Sequence, residues 1–369
     1  IHSDDVKLDN LTFIADTVPE DGSLIFVDGS SVDLTNLNVS YSVGDVEAVA
    51  IDIQDCRDVN LLNSTIFFES HVVDDSKVSV GIQAVDTGNV LMDGNNITTK
   101  LPCVYVDTYD KDYYLMGSNN VNPVRLKYCN RLKFTNNNVN STTNNYSAAY
   151  PTIQSIFIIG CSNSLIDHNN ISMIDEMTPA GMDNYLYGID FGYNVNVTFS
   201  YNNFNMSNRG GLDQHGTAYA FQGVKSEVII KGNNITSRSN GPNLGIYVAS
   251  MSGESSDLLI EDNFINVTGS ASPSGTWALV SGIEIQNGNA RIYNNTIYTY
   301  NVIDFEEGAY IYGISYAQWM YGARSFDIQN NTIYTDGAYT ISVIDSSSLN
   351  VDGNTLFARE LAGEDSIDP

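Results

Sequence analysis

A motif of the form apolar-x-apolar-x-x-Asn-x-apolar recurs from one end of this 369-residue chain to the other. Twelve copies align on a central position held by Leu11, Leu37, Ser64, Asn95, Asn137, Asn169, Asn202, Asn233, Asn263, Asn295, Asn331 and Asn354. Repetition at 20 to 50 residues signals a solenoid or array, whose units bury a core only by stacking on one another. The spacings run from 23 to 42 residues, so the unit tolerates insertion.

Three residues before the centre every copy is apolar, from Leu8 through Met92 and Phe199 to Val351, and so is the position two after it, from Phe13 to Leu356. Five before the centre only Ser164 breaks the rule. The −5/−3 pair has the period of a strand, and the +2 position opens another strand after a short corner. A further short strand lies upstream in most copies, as in Ile51-Asp52-Ile53, Ile156-Phe157-Ile158 and Ile283-Glu284-Ile285. Three strands and three corners describe one coil of a parallel β-helix. The chain therefore reads as all-β, a single-domain solenoid of about twelve coils. No long stretch carries the 3.6-residue period of a helix, and a propeller needs four strands per blade.

The central Asn is expected to point inward at a corner. Stacked copies would then lie about 4.8 Å apart, each amide bonding to backbone or to the amide above and below. Turn propensity alone does not explain why the position is fixed relative to the flanking core residues. The solenoid is expected over 1–356, with the Asn-free first coils (1–64) as an atypical N-terminal cap region. Residues 357–369 read as an acidic linker toward a further module. Residue 1 is Ile, no leader precedes the repeats, and no apolar run approaches the roughly 20 residues that cross a membrane, so the chain is expected to be a piece of a longer exported protein.

Net charge is −28 with only 16 basic residues, which argues against nucleic acid or anionic lipid as partner. Thirteen Asn-x-Ser/Thr sequons mark possible N-glycosylation of an exported chain. The acceptors at Asn38, Asn63, Asn96, Asn170, Asn196, Asn234, Asn294 and Asn330 should all face outward by strand parity, although a repeat rich in Asn and Thr also generates sequons automatically. Four cysteines do not make a disulfide scaffold. Cys129 and Cys161, however, both lie eight residues before their centres on consecutive coils, close enough for a disulfide between coils, or for a row of small buried thiols.

A solenoid of this kind invites a search for an active site. Glycoside hydrolysis needs two carboxylates at a defined separation, and elimination needs a base and a cation. On the outer face of the upstream strand the row reads Asp52, Gln83, Arg125, Phe157, Asp190 and Phe221, which is no acidic stack. The best catalytic candidate is the loop with Arg209, Asp213 and His215, with Asp190 one coil earlier, although a His beside an Asp in a Gly-rich loop is more often a polar turn. His2, His71 and His168 show no metal-ligand spacing. The longer insertions leave from one part of the coil and share a composition. One carries Tyr105, Asp107, Tyr109, Asp110, Asp112, Tyr113 and Tyr114; another Asp183, Tyr185 and Tyr187; a third Asp304, Glu306, Glu307, Tyr310 and Tyr312. Tyrosine offers rigid amphipathic contact area, and carboxylates accept bonds from sugar hydroxyls or hold Ca²⁺, so these loops are candidate glycan-binding positions. The alternative is that the tyrosines merely cover the flank of the solenoid.

Val228-Ile-Ile-Lys-Gly-Asn-Asn-Ile235, Ala290-Arg-Ile-Tyr-Asn-Asn-Thr-Ile297 and Phe326-Asp-Ile-Gln-Asn-Asn-Thr-Ile333 resemble right-handed parallel β-helix repeats of the pectate-lyase type. The Asn-Asn-Thr-Ile repeats in an acidic, sequon-rich chain further resemble the adhesin-like surface proteins of methanogenic archaea. That resemblance implies an extracellular, cell-surface protein attaching to glycans or partner cells, followed by further modules, and it supplies no catalytic residues. The clustered calcium aspartates of the lyases are missing. The expectation is a non-enzymatic adhesin-like domain, with a polysaccharide lyase or glycoside hydrolase and a structural envelope component as rivals.

Overall fold

The computed structural model describes residues 4–19, 22–29, 31–72, 77–105, 121–146, 151–175, 184–208, 216–249, 256–270, 279–286, 288–301, 310–316, 325–337, 339–344 and 346–359. Among them the chain is all strand, wound as a parallel β-helix in which each coil contributes to three sheets. The first sheet holds the upstream strands, from Ser23–Asp28 to Tyr339–Val343. The second holds the strands that lead into the repeat centre, twelve of them from Asp5–Asp9 to Ser348–Asp352. The third leaves the centre, from Thr12–Ala15 to Thr355–Ala358, so regular structure runs two residues beyond the boundary expected at 356. Crossovers between parallel strands wind right-handedly in nearly all proteins, which is the hand the resemblance of the repeats implies.

Register follows the repeat. Leu61, Met92 and Phe134 are direct partners in the second sheet, and Ile97, Val139 and Ile171 in the third. Inward residues from all three sheets form one continuous apolar core. The first three copies, which lack Asn, keep the same pairing as the rest, because the register depends on the apolar −3 and +2 residues rather than on the amide.

The residue just before every centre turns the corner in the left-handed region. Asn10, Asn36, Asn63, Asn136, His168, Tyr201, Asp262, Asn294 and Asn330 have φ between 50° and 58°, and Gly94, Gly232 and Gly353 lie at 64° to 66°. Asn, Asp and Gly are the residues that enter this region at least cost, so the corner selects them.

Once the chain has turned, the central Asn points inward. Its Nδ2 donates to the next Asn Oδ1 along an unbroken column from Asn95 to Asn354, at 2.9–3.1 Å. The same Nδ2 also donates to a main-chain carbonyl of the preceding coil, as from Asn137 to Met92 at 2.9 Å. From Asn137 onward each Oδ1 accepts the main-chain N–H of the previous Asn as well, and Asn95 Oδ1 accepts that of Ser64, so each amide donates and accepts. Ser64 joins the column through its hydroxyl, which accepts the Leu37 N–H.

Cys129 and Cys161 stack on adjoining coils as their spacing requires, but the bridge between them is not formed. Both are free, buried thiols. Each sulfur instead meets main-chain carbonyls, Ala84 and Lys127 for Cys129, and Leu126 and Ile159 for Cys161. Contact with the Cys161 thiol, with burial second, pushes the Cys129 thiol up.

Candidate functional site

The outward face of the first sheet is unlike the other two. Asp52, Gln83, Arg125, Phe157, Asp190, Gln222, Tyr247 and Glu284 are successive Cα partners along it, one per coil. An outward row on a solenoid is ordinarily solvated, yet Asp190 is 0% exposed and Glu284 3%. Charged side chains are almost never this buried without partners. Phe221, expected in this row, instead points inward against Phe199 and Phe204, and Gln222 takes its place. The cause is a bulge. Between its first and second strands the coil of Asn233 is one residue shorter than the coil before it, where the left-handed Asn196 is the unmatched residue, so counting back from Asn233 misses by one.

Asp190 terminates a polarised chain. Asn122 Nδ2 donates to Gln154 Oε1 at 3.0 Å, and Gln154 Nε2 donates to Asp190 Oδ2 at 2.6 Å. Both outer ends of the chain, Asn122 Oδ1 and Asp190 Oδ1, are buried with no partner. Burial pushes the Asp190 carboxyl up to about 8. Burial thus favours the neutral acid, and since Oδ2 already accepts from Gln154, a proton on the unpaired Oδ1 would make it a hydrogen-bond donor. Farther along, Tyr247 donates to Gln286 Oε1 at 3.0 Å, and Gln286 Nε2 donates to Glu284 Oε1 at 2.6 Å. Glu284 Oε2 is left unpaired, and burial, opposed by the Gln286 bond, pushes the carboxyl up to about 7.

Beside these groups runs a file of rings. Tyr185 and Tyr187 stack at 6.4 Å, Tyr187 and Tyr219 at 5.1 Å, and Tyr219 meets Tyr247 at 5.3 Å. Stacked rings with polar tips present apolar area and hydroxyls together, as sugar recognition requires. The opposite end of the face is cationic. Asp52 has both oxygens occupied by Ser23, Gln54 and Gln83, whereas Arg125, two coils on, has a buried Nε without a partner.

The structure thus joins Asp190, Tyr185 and Tyr187, three of the positions singled out from sequence. Tyr312 lies on the same sheet and stacks on Tyr339 at 6.1 Å. Tyr105 and Tyr310 are strand residues. Arg209, Asp213, His215, Asp107, Tyr109, Asp110, Asp112, Tyr113, Tyr114, Asp183, Asp304, Glu306 and Glu307 lie outside the described residues. Asn122, Gln154, Tyr219, Tyr247, Gln222 and Glu284 were not anticipated as site residues. Asp190 and Glu284 stand three coils apart, about 14 Å. Paired glycosidase carboxylates sit within about 5–9.5 Å of each other. Among the described residues no three Asp, Glu, His or Cys side chains converge as a metal site, and no helix is long and apolar enough to cross a membrane.

All eight candidate acceptor asparagines are exposed. Asn96, Asn170 and Asn234 belong to a second amide ladder on the outer face of the third sheet, interleaved with Asn138 and Asn203 at 2.8–3.0 Å. Asn63, Asn294 and Asn330 are corner residues, and Asn196 is the bulge residue.

No protein-family model matches the sequence, and no curated protein does. Among solved structures the chain is similar to a mutant tailspike protein of E. coli bacteriophage HK620 in complex with a hexasaccharide, at 10% identity and a TM-score of 0.41, over 95% of this chain and 58% of that one. It is similar to the Dettilon tailspike protein at 14% identity and 0.41, over 87% and 62%. It is also similar to the Streptococcus pneumoniae surface protein and adhesin PfbA at 10% and 0.37, over 90% and 91%. The chain spans about three-fifths of the length of the two tailspikes.

Proposed function

We propose that the protein is an extracellular, adhesin-like domain that binds glycans on the outward face of its first sheet without turning them over, in the manner of the archaeal surface proteins its repeats resemble. The observation that carries this reading is the set of buried polar atoms without partners, Asn122 Oδ1, Asp190 Oδ1 and Glu284 Oε2, in files beside stacked tyrosines. Such groups each cost about 1–3 kcal/mol when left unpaired, and a hydroxyl-rich ligand satisfies them. Neutral donors and acceptors flanked by rings suit sugars. The wide separation of Asp190 and Glu284 disfavours hydrolysis by that pair.

A glycan array read with purified protein tests the proposal, followed by Gln154→Ala and Asp190→Leu with far-UV circular dichroism as a folding control. Binding reduced at least tenfold in folded variants is expected. Binding indifferent to both changes would remove the face from consideration. The enzymatic rival draws on the complete burial of Asp190, which pushes its carboxyl up to about 8, the direction a general acid requires. Release of reducing ends or unsaturated products from a polysaccharide panel, abolished by Asp190→Asn, would establish it instead.

Extracellular display draws support from the sequons. Each of the first eleven copies carries one, at −1, +1 or +3 from its centre, on the corner or first outward residues of the third sheet. Acceptors in the +1 column, Asn38, Asn96, Asn170 and Asn234, fall on every second coil, about 10 Å apart. Attached glycans would clothe the third sheet and leave the first sheet free. Intact-mass measurement of protein from its native source is expected to show multiple glycan increments, and an unmodified mass would refute it.

A further inference from the structure

Arg125 sits in the outward row of the first sheet, two coils from Asp190. Only 8% of it is exposed, its Nε is buried without a partner, and no carboxylate among the described residues pairs with it. The nearest acids along its row, Asp52 and Asp190, each lie two coils away; Asp52 has both oxygens committed to Ser23, Gln54 and Gln83, and Asp190 accepts from Gln154. Lys127, two residues on, leaves the same strand beside it, with its ammonium over the Phe157 ring at 5.8 Å. Burial and the neighbouring guanidinium push Lys127 down to about 8. Two cations held together and partly desolvated are costly, and a chain with net charge −28 has no shortage of carboxylates with which to neutralise them. The sequence nevertheless places Gln83 and Phe157 as the flanking partners of Arg125.

We propose that Arg125 and Lys127 form an anion subsite on this face, which takes the carboxylate or sulfate of an acidic sugar while the neighbouring uncharged sugars of the same chain bond the open ends of the amide chain, Asn122 Oδ1 and Asp190 Oδ1. The guanidinium fork pairs bidentately with a planar or tetrahedral oxyanion, and the Lys127 ammonium adds a point charge. Arg125 and Asp190 are about 10 Å apart along the row, within the span of one oligosaccharide. The overall negative charge gives no diffuse attraction to an acidic glycan, so affinity for one must come from this local pair. This inference rests on the first-sheet face being a glycan site, and it names the class of glycan.

Oligouronates, sulfated oligosaccharides and uncharged counterparts of the same length are titrated calorimetrically into wild type, Arg125→Met and Asp190→Asn. Wild type is expected to bind at least one acidic class at least tenfold tighter than its uncharged counterpart, and which class wins identifies the anion. Arg125→Met is expected to erase that preference while leaving uncharged binding within about twofold. Because an unpaired buried cation is being removed, Arg125→Met should also melt no lower than wild type without ligand. Equal affinity for acidic and uncharged glycans, or an Arg125→Met variant that keeps the preference, overturns the subsite and leaves the glycan-binding reading standing. A substantially lower melting temperature for Arg125→Met overturns it too, because the arginine is then structural. Wild type that binds no glycan of any class removes both.

Discussion

Truncating Asn202 in the middle of the amide column is expected to destabilise the protein by about 3–7 kcal/mol. Its Nδ2 donates to the Ile166 carbonyl at 2.9 Å and to Asn233 Oδ1 at 3.0 Å, and its Oδ1 accepts the Asn169 main-chain N–H at 3.0 Å and Asn169 Nδ2 at 2.9 Å. Alanine strands two donors of Asn169 in a site with no access to water and deprives the Ile166 carbonyl of a donor. Asn233 Oδ1 is spared, because the Asn202 main-chain N–H still reaches it at 2.9 Å. Two stranded buried donors at about 1–3 kcal/mol each, plus about 1 kcal/mol for the lost carbonyl bond, give the range. Asn354→Ala is the internal control. It removes the last rung, where the amide is only partly buried and water can replace it, so about 1 kcal/mol or less is expected. Urea unfolding followed by far-UV circular dichroism measures both. In a solenoid each coil touches only its neighbours, so a mid-column break should also lower the denaturant slope as the two halves uncouple. If the two variants fall within about 1 kcal/mol of each other, the column is not the determinant claimed for it.

Three further outcomes follow from the same geometry. Asp190 and Glu284 hold their protons in the folded state to about pH 8 and 7, whereas in the unfolded chain they ionise near 4, so between those limits the folded state binds more protons and stability falls as pH rises. The slope approaches about 1.4 kcal/mol per pH unit for each group, and melting curves of Asp190→Asn and Glu284→Gln should be correspondingly flatter; parallel curves for wild type and variants would contradict it. At the corner, Asn136 has φ 54°, so Asn136→Val should cost about 1–2 kcal/mol and Asn136→Gly little, by chemical denaturation; equal costs would mean that the left-handed corner is not a constraint. Gly223→Ala should cost about 1–3 kcal/mol, because its Cβ would run into the ring of Phe191; an unchanged midpoint would show that the ring yields.

The architecture was legible because one apolar period and one fixed amide carry it. The −3 and +2 residues are buried in almost every coil, and the central Asn could be read as inward because a turn residue has no reason to hold constant register with core residues. The corner itself left a signal that went unread, the alternation of Gly94, Gly232 and Gly353 with Asn at one position. The site was legible only in part. Asp190, Tyr185 and Tyr187 follow from local composition. The partners Asn122 and Gln154 do not, although each lies fifteen residues before its centre as Tyr187 does, because a plain two-residue period counted from Ile156 and Ile158 turns them inward, and the irregularity between Gln154 and Ile156 reverses that. Phe221 is misplaced by a related irregularity, a single bulge residue that moves every upstream side chain to the opposite face.

The choice of face is decided by which polar groups the coil satisfies by itself. On the third sheet, Asn96, Asn138, Asn170, Asn203 and Asn234 bond one another, and farther along Tyr298, Tyr334 and Phe357 stack at 4.5–4.7 Å, so that face closes its own contacts from coil to coil. On the second sheet the carboxylates also find partners in the adjoining coil, as Asp58 accepts from Asn89 at 2.6 Å and Asp93 from Thr135 at 2.6 Å, all near solvent. Stacking places like positions about 4.8 Å apart, so a repeat that keeps residue types constant in a column satisfies them automatically. The first sheet breaks that rule. Its outward row changes from acid to amide to cation to ring at every coil, and the result is a set of buried atoms that no neighbour completes. Unpaired buried atoms occur on the third sheet too, at Asn266 Oδ1, but among the described residues only on the first sheet do an acid, an amide and a guanidinium in neighbouring files lack partners together, as a face does when something other than the next coil is to occupy it.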